Sequence, residues 1–359
     1  MTDEHTPDPN DGLLGERYAD GSVVANDVVN DELTHEQREV AGLSQMQLAR
    51  RRFFRHKGAM ISLIVLTFIV VMAITSVGAG PIPGWWKYDH TTLIPSSTDQ
   101  GPTLSLPTWL SGSGLAFGDH PFGIDNERGR DLFAQTMRGT QVSLAVIVVL
   151  AVISVTLGVG LGALAGYFGG WIDAIIMRVT DTIIILPLLV LVSVFAFQFK
   201  WAGVWSVAIT LGLFSWTGLC RLVRAEFLTL REREFVDAAR VAGASNRRII
   251  FKHIAPNTIG TVIVSVTLLM GAGILTEAAL SFLGFGINDP DVSLGSLVQL
   301  YQSAFGTRSW LFIFPGVMIV SIVLCLQFIG DGLRDAFDPR QKRIPKFKDL
   351  QKKAEAGES

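Results

Sequence analysis

Apolar residues run without interruption for twenty residues or more at several places in this chain, instead of alternating or recurring once per helical turn. The first run, AMISLIVLTFIVVMAITSVGA at 59–79, holds no charge. Its 21 residues would make about 31 Å of helix at 1.5 Å per residue, the thickness of a bilayer core. Comparable runs at about 141–166, 174–199, 201–220, 258–283 and 310–330 predict six transmembrane helices and an all-α membrane protein. Gly158, Gly162 and Gly166 recur every four residues in the second run, a small-residue stripe on which a neighbouring helix can pack closely. Pro187 is expected to kink the third helix. The polar stretches between runs are rich in Gly, Pro, Asn and Asp.

Charge then orients the spans. Only 17% of the 359 residues are charged against about 25% in soluble domains, and the mean hydropathy is +0.40. The net charge of −2 hides a segregation. Residues 1–45 carry eleven Asp or Glu and two Arg, which predicts a disordered acidic tail. Arg50, Arg51, Arg52, Arg55 and Lys57 cluster in the entry segment and first helix, 46–80. Residues 81–140, with Trp85, Trp86 and Trp109 suited to a membrane interface, hold four Lys or Arg. Eight fall in 221–257 and eight in the tail 331–359. The positive-inside rule therefore places both termini and 221–257 in the cytoplasm and 81–140 outside. A core at 141–330 holds the other five helices. The polar start is unlike a signal peptide, and Cys220 and Cys325 are read as packing residues.

The cytoplasmic loop carries EFVDAARVAGASNRRIIFKHIAPN at 234–257. Good helix formers at 230–242, then Gly243-Ala244-Ser245, predict a helix, a bend and a second helix capped by Ser245 and ended by Pro256. Ala238, Ala239 and Ala242 leave a smooth face for a partner's cleft, with Arg240, Arg247 and Arg248 complementary to an acidic rim. Charge alone favours a basic hairpin lying on anionic membrane lipid. Arg178 and Asp181 stand i,i+3 on the third helix and, with Asp173, predict a structural ion pair. Glu277 lies in an apolar run, where a carboxylate must meet a partner, a cavity or an interface, so it is read as a pathway or gate residue or as a structural hydrogen-bonding group. Arg128, Arg130 and Asp131 are read as bracing the outer segment or touching a protein there. His120 and His253 lack metal-ligand spacing, and no catalytic constellation or GxxxxGK[ST] phosphate loop is present. No enzyme activity, metal, nucleic-acid partner or cofactor is expected in this chain.

Asp237-Ala238-Ala239, Gly243 and His253-Ile254-Ala255-Pro256 resemble the "EAA" loop of ATP-binding-cassette importer permeases. Asp237 replaces the usual Glu, and Ala255 a Leu. HPFGIDNERGRDLFAQTMRGTQVSL at 120–144, AGYFGGWIDAIIMRVTDTIIILP at 165–187, LSFLGFGINDP at 280–290 and GDGLRDAFDPR at 330–340 are similar to the C-type permease subunit of dipeptide, oligopeptide and nickel importers. So is SQMQLARRRFFRHKGAM at 44–60. Ser293-Leu294-Gly295 departs from that family's Ser-Trp-Gly. The resemblance implies a type I importer permease in a prokaryotic plasma membrane, paired with a homologous permease, two cytoplasmic ATPases that bind ATP and Mg, and an extracytoplasmic substrate-binding protein. It implies docking of Asp237, Ala238, Ala239, Arg240, Gly243, Ala244, Ser245, Arg247 and Pro256 on an ATPase. The cargo it implies is a di- or oligopeptide, with nickel or glutathione as alternatives. A non-transporting scaffold is the rival of another class.

Overall fold

The computed structural model describes residues 45–94, 101–105, 117–125, 129–199, 203–287 and 289–337. The acidic tail, Trp109, Arg128 and the end of the basic tail lie outside the described residues. Residues 1–51 and 52–359 form two units, and the second holds every helix of membrane length. The helices are α1 (Gln45–Arg55), α2 (Lys57–Val77), α3 (Leu132–Phe168), α4 (Gly170–Ile185), α5 (Leu188–Gln198), α6 (Val204–Leu230), α7 (Glu234–Val241), α8 (Asn246–Phe282), α9 (Leu294–Tyr301) and α10 (Ser309–Phe337).

Helices α2, α3, α6, α8 and α10 are each long and apolar enough to cross a membrane. Helices α4 and α5 meet at 91° and together pass as a broken span or a re-entrant loop, where the sequence predicts one kinked helix. Pro187 has no N–H to donate, and it forces Leu186 into extended backbone (φ −80°, ψ 135°), which ends α4 instead of bending it. Two other helices outrun the expected spans. Asp131 starts α3 nine residues early by accepting from the Ala134 amide at 2.9 Å. Helix α6 continues to Leu230, so Arg221 and Arg224 belong to a helix, not a loop.

Close approach of α3 and α6 sets the centre of the bundle, and the glycine stripe is where it happens. A Cβ at Gly162 would stand 2.6 Å from the Cys220 carbonyl oxygen, and one at Gly166 2.6 Å from the Phe227 Cβ. Apolar packing surrounds this seam. Val146, Leu150, Val192, Ala208, Leu211 and Leu280 form one buried cluster, while Phe227, Val236, Ile249 and Ile254 form another at the α7 end of the bundle. Cys220 and Cys325 are buried free thiols.

Pro256 does not end a helix. The chain stays helical from Asn246 to Phe282 because residues Ile249–Ile254 widen into a π turn, leaving Pro256 in the first turn of the α-helical segment that follows. There its missing N–H interrupts no bond. The His253 carbonyl accepts the Asn257 side-chain amide at 2.6 Å instead.

Candidate functional site

Helix α7 is held at one point and otherwise open. Val236 is fully buried against Phe227, Ile249 and Ile254, and Tyr167 at the end of α3 donates its hydroxyl to Asn246 Oδ1 at 2.8 Å. Around this anchor, Phe235, Ala238, Ala242 and Phe251 are exposed and Val241 is 90% exposed. Asp237 and Arg240 pair at 2.8 Å on the solvent side. Gly243 takes φ 77° with nothing within 4 Å of an added Cβ, so it serves the left-handed turn and not a tight contact. Ser245 Oγ then accepts from the Arg248 amide at 3.4 Å, capping α8 as its sequence suggests. Ser245, Arg247, Arg248 and Phe251 line an open cleft of about 390 Å³. The result is an exposed apolar face with a basic border, continuous through the π turn with a membrane helix.

The expected Arg178–Asp181 pair does not form. Asp181 accepts from Arg221, and Asp173 takes a two-point contact from Arg224, with Nη2 to Oδ2 at 2.6 Å. Arginines of α6 thus take both α4 carboxylates, Arg221 by one contact and Arg224 by a two-point fork. Arg231 completes the joint by donating to the Gly166 and Tyr167 carbonyls at 3.2 and 3.4 Å, the last free acceptors of α3. Asp173→Asn is expected to lower the unfolding free energy by about 1–2 kcal/mol, read as the shift in melting midpoint of the purified protein.

Glu277 is 0% exposed and sits in a buried polar joint. Its Oε2 accepts from Ser143 of α3 at 2.9 Å and its Oε1 from Ser281 at 2.8 Å. Each hydroxyl oxygen accepts in turn from backbone, Ser143 from Leu294 N–H and Ser281 from Ile287 N–H, both at 3.3 Å. The carboxylate thus ties α3 and α8 to the segment that leads into α9. Leu294, which stands where the family has Trp, is fully buried in that contact.

The model of the family described as "Binding-protein-dependent transport system inner membrane component" matches residues 158–343. That is more than half of the chain. The chain belongs to this family. A second model, "N-terminal TM domain of oligopeptide transport permease C", matches residues 44–102 of the permease. Oligopeptide transport system permease protein OppC of Mycobacterium tuberculosis is 37% identical over 84% of this permease and 97% of the relative. OppC of Haemophilus influenzae is 38% identical over 86% and 92%. Among solved structures, inward-facing MetNI methionine ABC transporter aligns at a TM-score of 0.47 and 18% identity, covering 55% of this chain and 94% of that one. The protein is a multi-pass inner-membrane permease component of an ABC importer.

The permease also carries a braced segment between α2 and α3. Buried Asp131 accepts from Trp86 Nε1 and pairs with His120 Nδ1, each at 2.9 Å, and Arg130 pairs with Asp289 at 2.9 Å. Trp86, Phe117, Phe122 and Phe133 pack edge to face around it. Lys87 and Asp119 form an exposed pair at 2.6 Å. That hydrogen bond raises the lysine pKa and lowers the aspartate pKa. Composition pointed to this segment only as polar and tryptophan-bearing. Arg221, Arg224 and Arg231 were legible as topology charges, but their partners lie 40 to 65 residues away and have no local signature.

Proposed function

We propose that this permease imports di- or oligopeptides along a path formed with a homologous permease, and that α7 delivers the movement of cytoplasmic ATPases to it. The observation that carries this reading is the exposed apolar face of α7 with its basic border, anchored by Val236 on the start of the membrane helix α8. A partner that moves α7 would move α8, because only the short 242–245 turn separates them and Val236 packs with Ile249 and Ile254 of α8. The Gly243 turn sets the angle between the two helices. ATP and Mg would be held by the ATPases, which this chain contacts through Phe235, Ala238, Val241, Arg247 and Phe251. A substrate-binding protein would deliver cargo at the opposite face, where Trp86, His120, Asp131 and α9 lie. The peptide assignment follows the relatives, which carry the name oligopeptide permease.

Gly243→Asp tests the docking. The new carboxylate enters an arginine border at a left-handed position that aspartate tolerates, so insertion should be retained. Uptake driven by ATP is expected to fall at least about tenfold while the complex can still be purified. Wild-type uptake in that variant would sink the docking assignment. Competition between labelled peptide and nickel chelate or glutathione in the same vesicles identifies the cargo class.

A further inference from the structure

The break between α4 and α5 exposes backbone donors that nothing among the described residues uses. Pro187 precedes α5 without a side-chain cap, and the first bond back to it is from Leu191 N–H at 3.1 Å. The amides of Leu188, Leu189 and Val190, the first turn of α5, have no acceptor among the described residues. Beside the break is a cleft of about 420 Å³ walled by residues 183–188, by Phe214, Ser215 and Thr217 of α6 and by Leu269 of α8. Pro187 and Leu269 fall near the middle of the apolar runs 174–199 and 258–283, and Ser215 and Thr217 in the last part of the run 201–220, so the cleft lies within apolar runs of membrane-spanning length. Thr217 is only 7% exposed, yet it lines this cleft with no hydrogen-bond partner among the described residues, and neither has Ser215.

Lipid tails cannot satisfy such groups, and irregular backbone at this depth persists where it faces protein or a watered cavity. Broken helices at mid-membrane are also where transported solutes find exposed helix termini. We propose that this cleft is a subsite on the translocation path that takes the backbone of the passing peptide. Its carbonyl or terminal carboxylate oxygens meet the α5 amides and the hydroxyls of Ser215 and Thr217, while a side chain rests on Ile183, Leu186 and Phe214. Recognition of backbone and not of side-chain identity suits a path that passes many sequences. The proposal rests on the peptide-import reading above.

The test is uptake of labelled trialanine by the full transporter, with its ATPases and binding protein, in liposomes. Ser215→Ala/Thr217→Val is expected to slow uptake about tenfold through two lost hydrogen bonds, whereas Thr217→Ser, which keeps the hydroxyl and loses the methyl, stays near wild type. A purely packing role predicts the reverse order of the two Thr217 variants. If the double variant does not assemble, the near-isosteric Thr217→Val against Thr217→Ser makes the same comparison. Wild-type uptake in the hydroxyl-free variants, or equal loss in Thr217→Ser and Thr217→Val, overturns the subsite while peptide import stands. A wild-type transporter that moves no peptide overturns the import reading itself, and this occupant with it.

Discussion

Valine in place of Gly162 is expected to keep the permease from its folded state. The Cβ alone would stand 2.6 Å from the Cys220 carbonyl oxygen and 2.9 Å from the Val223 Cβ. Neither can swing away, since one is backbone and the other is the root of a buried side chain. Relief requires α6 to move off α3, which also pulls Arg224 from Asp173 and Arg231 from the end of α3. Overpacking typically costs about 1–3 kcal/mol, and a clash with backbone belongs at the upper end or beyond. The measurement is the yield and melting midpoint in detergent, with Gly160→Ala as the control. Gly160 lies on the same helix with nothing within 4 Å of an added Cβ, so it should melt like the parent. A Gly162→Val protein that also melts like the parent would show that the two helices are not packed as described.

Replacing Glu277 by leucine is expected to be nearly as damaging for a different reason. The Ser143 and Ser281 oxygens already accept from the backbone of residues 294 and 287, so their protons have the carboxylate as acceptor. Leucine removes it and leaves two buried donors unsatisfied, a loss of about 2–4 kcal/mol. Glu277→Gln restores one carbonyl oxygen and should fall between the two. Thermal melts of the three proteins give the order wild type, Gln, Leu. A leucine variant as stable as wild type would mean that the hydroxyls have other acceptors.

Both predictions concern features that were half visible in the chain. The glycine stripe announced a close helix contact but not its partner. Gly158, Gly162 and Gly166 share one face by helical geometry alone, whereas the choice of α6 depends on which surface fits. Glu277 was conspicuous as a carboxylate in an apolar run. Its burial and its hydrogen bond from Ser143, which lies 134 residues away, have no local signature.

Sequence by itself determined the approximate place of the apolar runs, the Gly243 turn and the Ser245 cap. Hydrophobic length, backbone sterics and capping act over a few residues and need no partner. Tertiary structure alone decided the rest. Pro187 ends α4 locally, but the 91° angle that α5 then takes is held by packing of its Val192 and Ala196 against Ala208 and Leu211 of α6. Pro256 fails to break its helix because a π turn held by buried Ile249, Ile250 and Ile254 absorbs it. Two prolines in comparable settings thus act oppositely, since the cost of a lost backbone bond is set by what surrounds it. The arginine partners of Asp173 and Asp181 were chosen in the same way, by geometry between helices that no local pattern records.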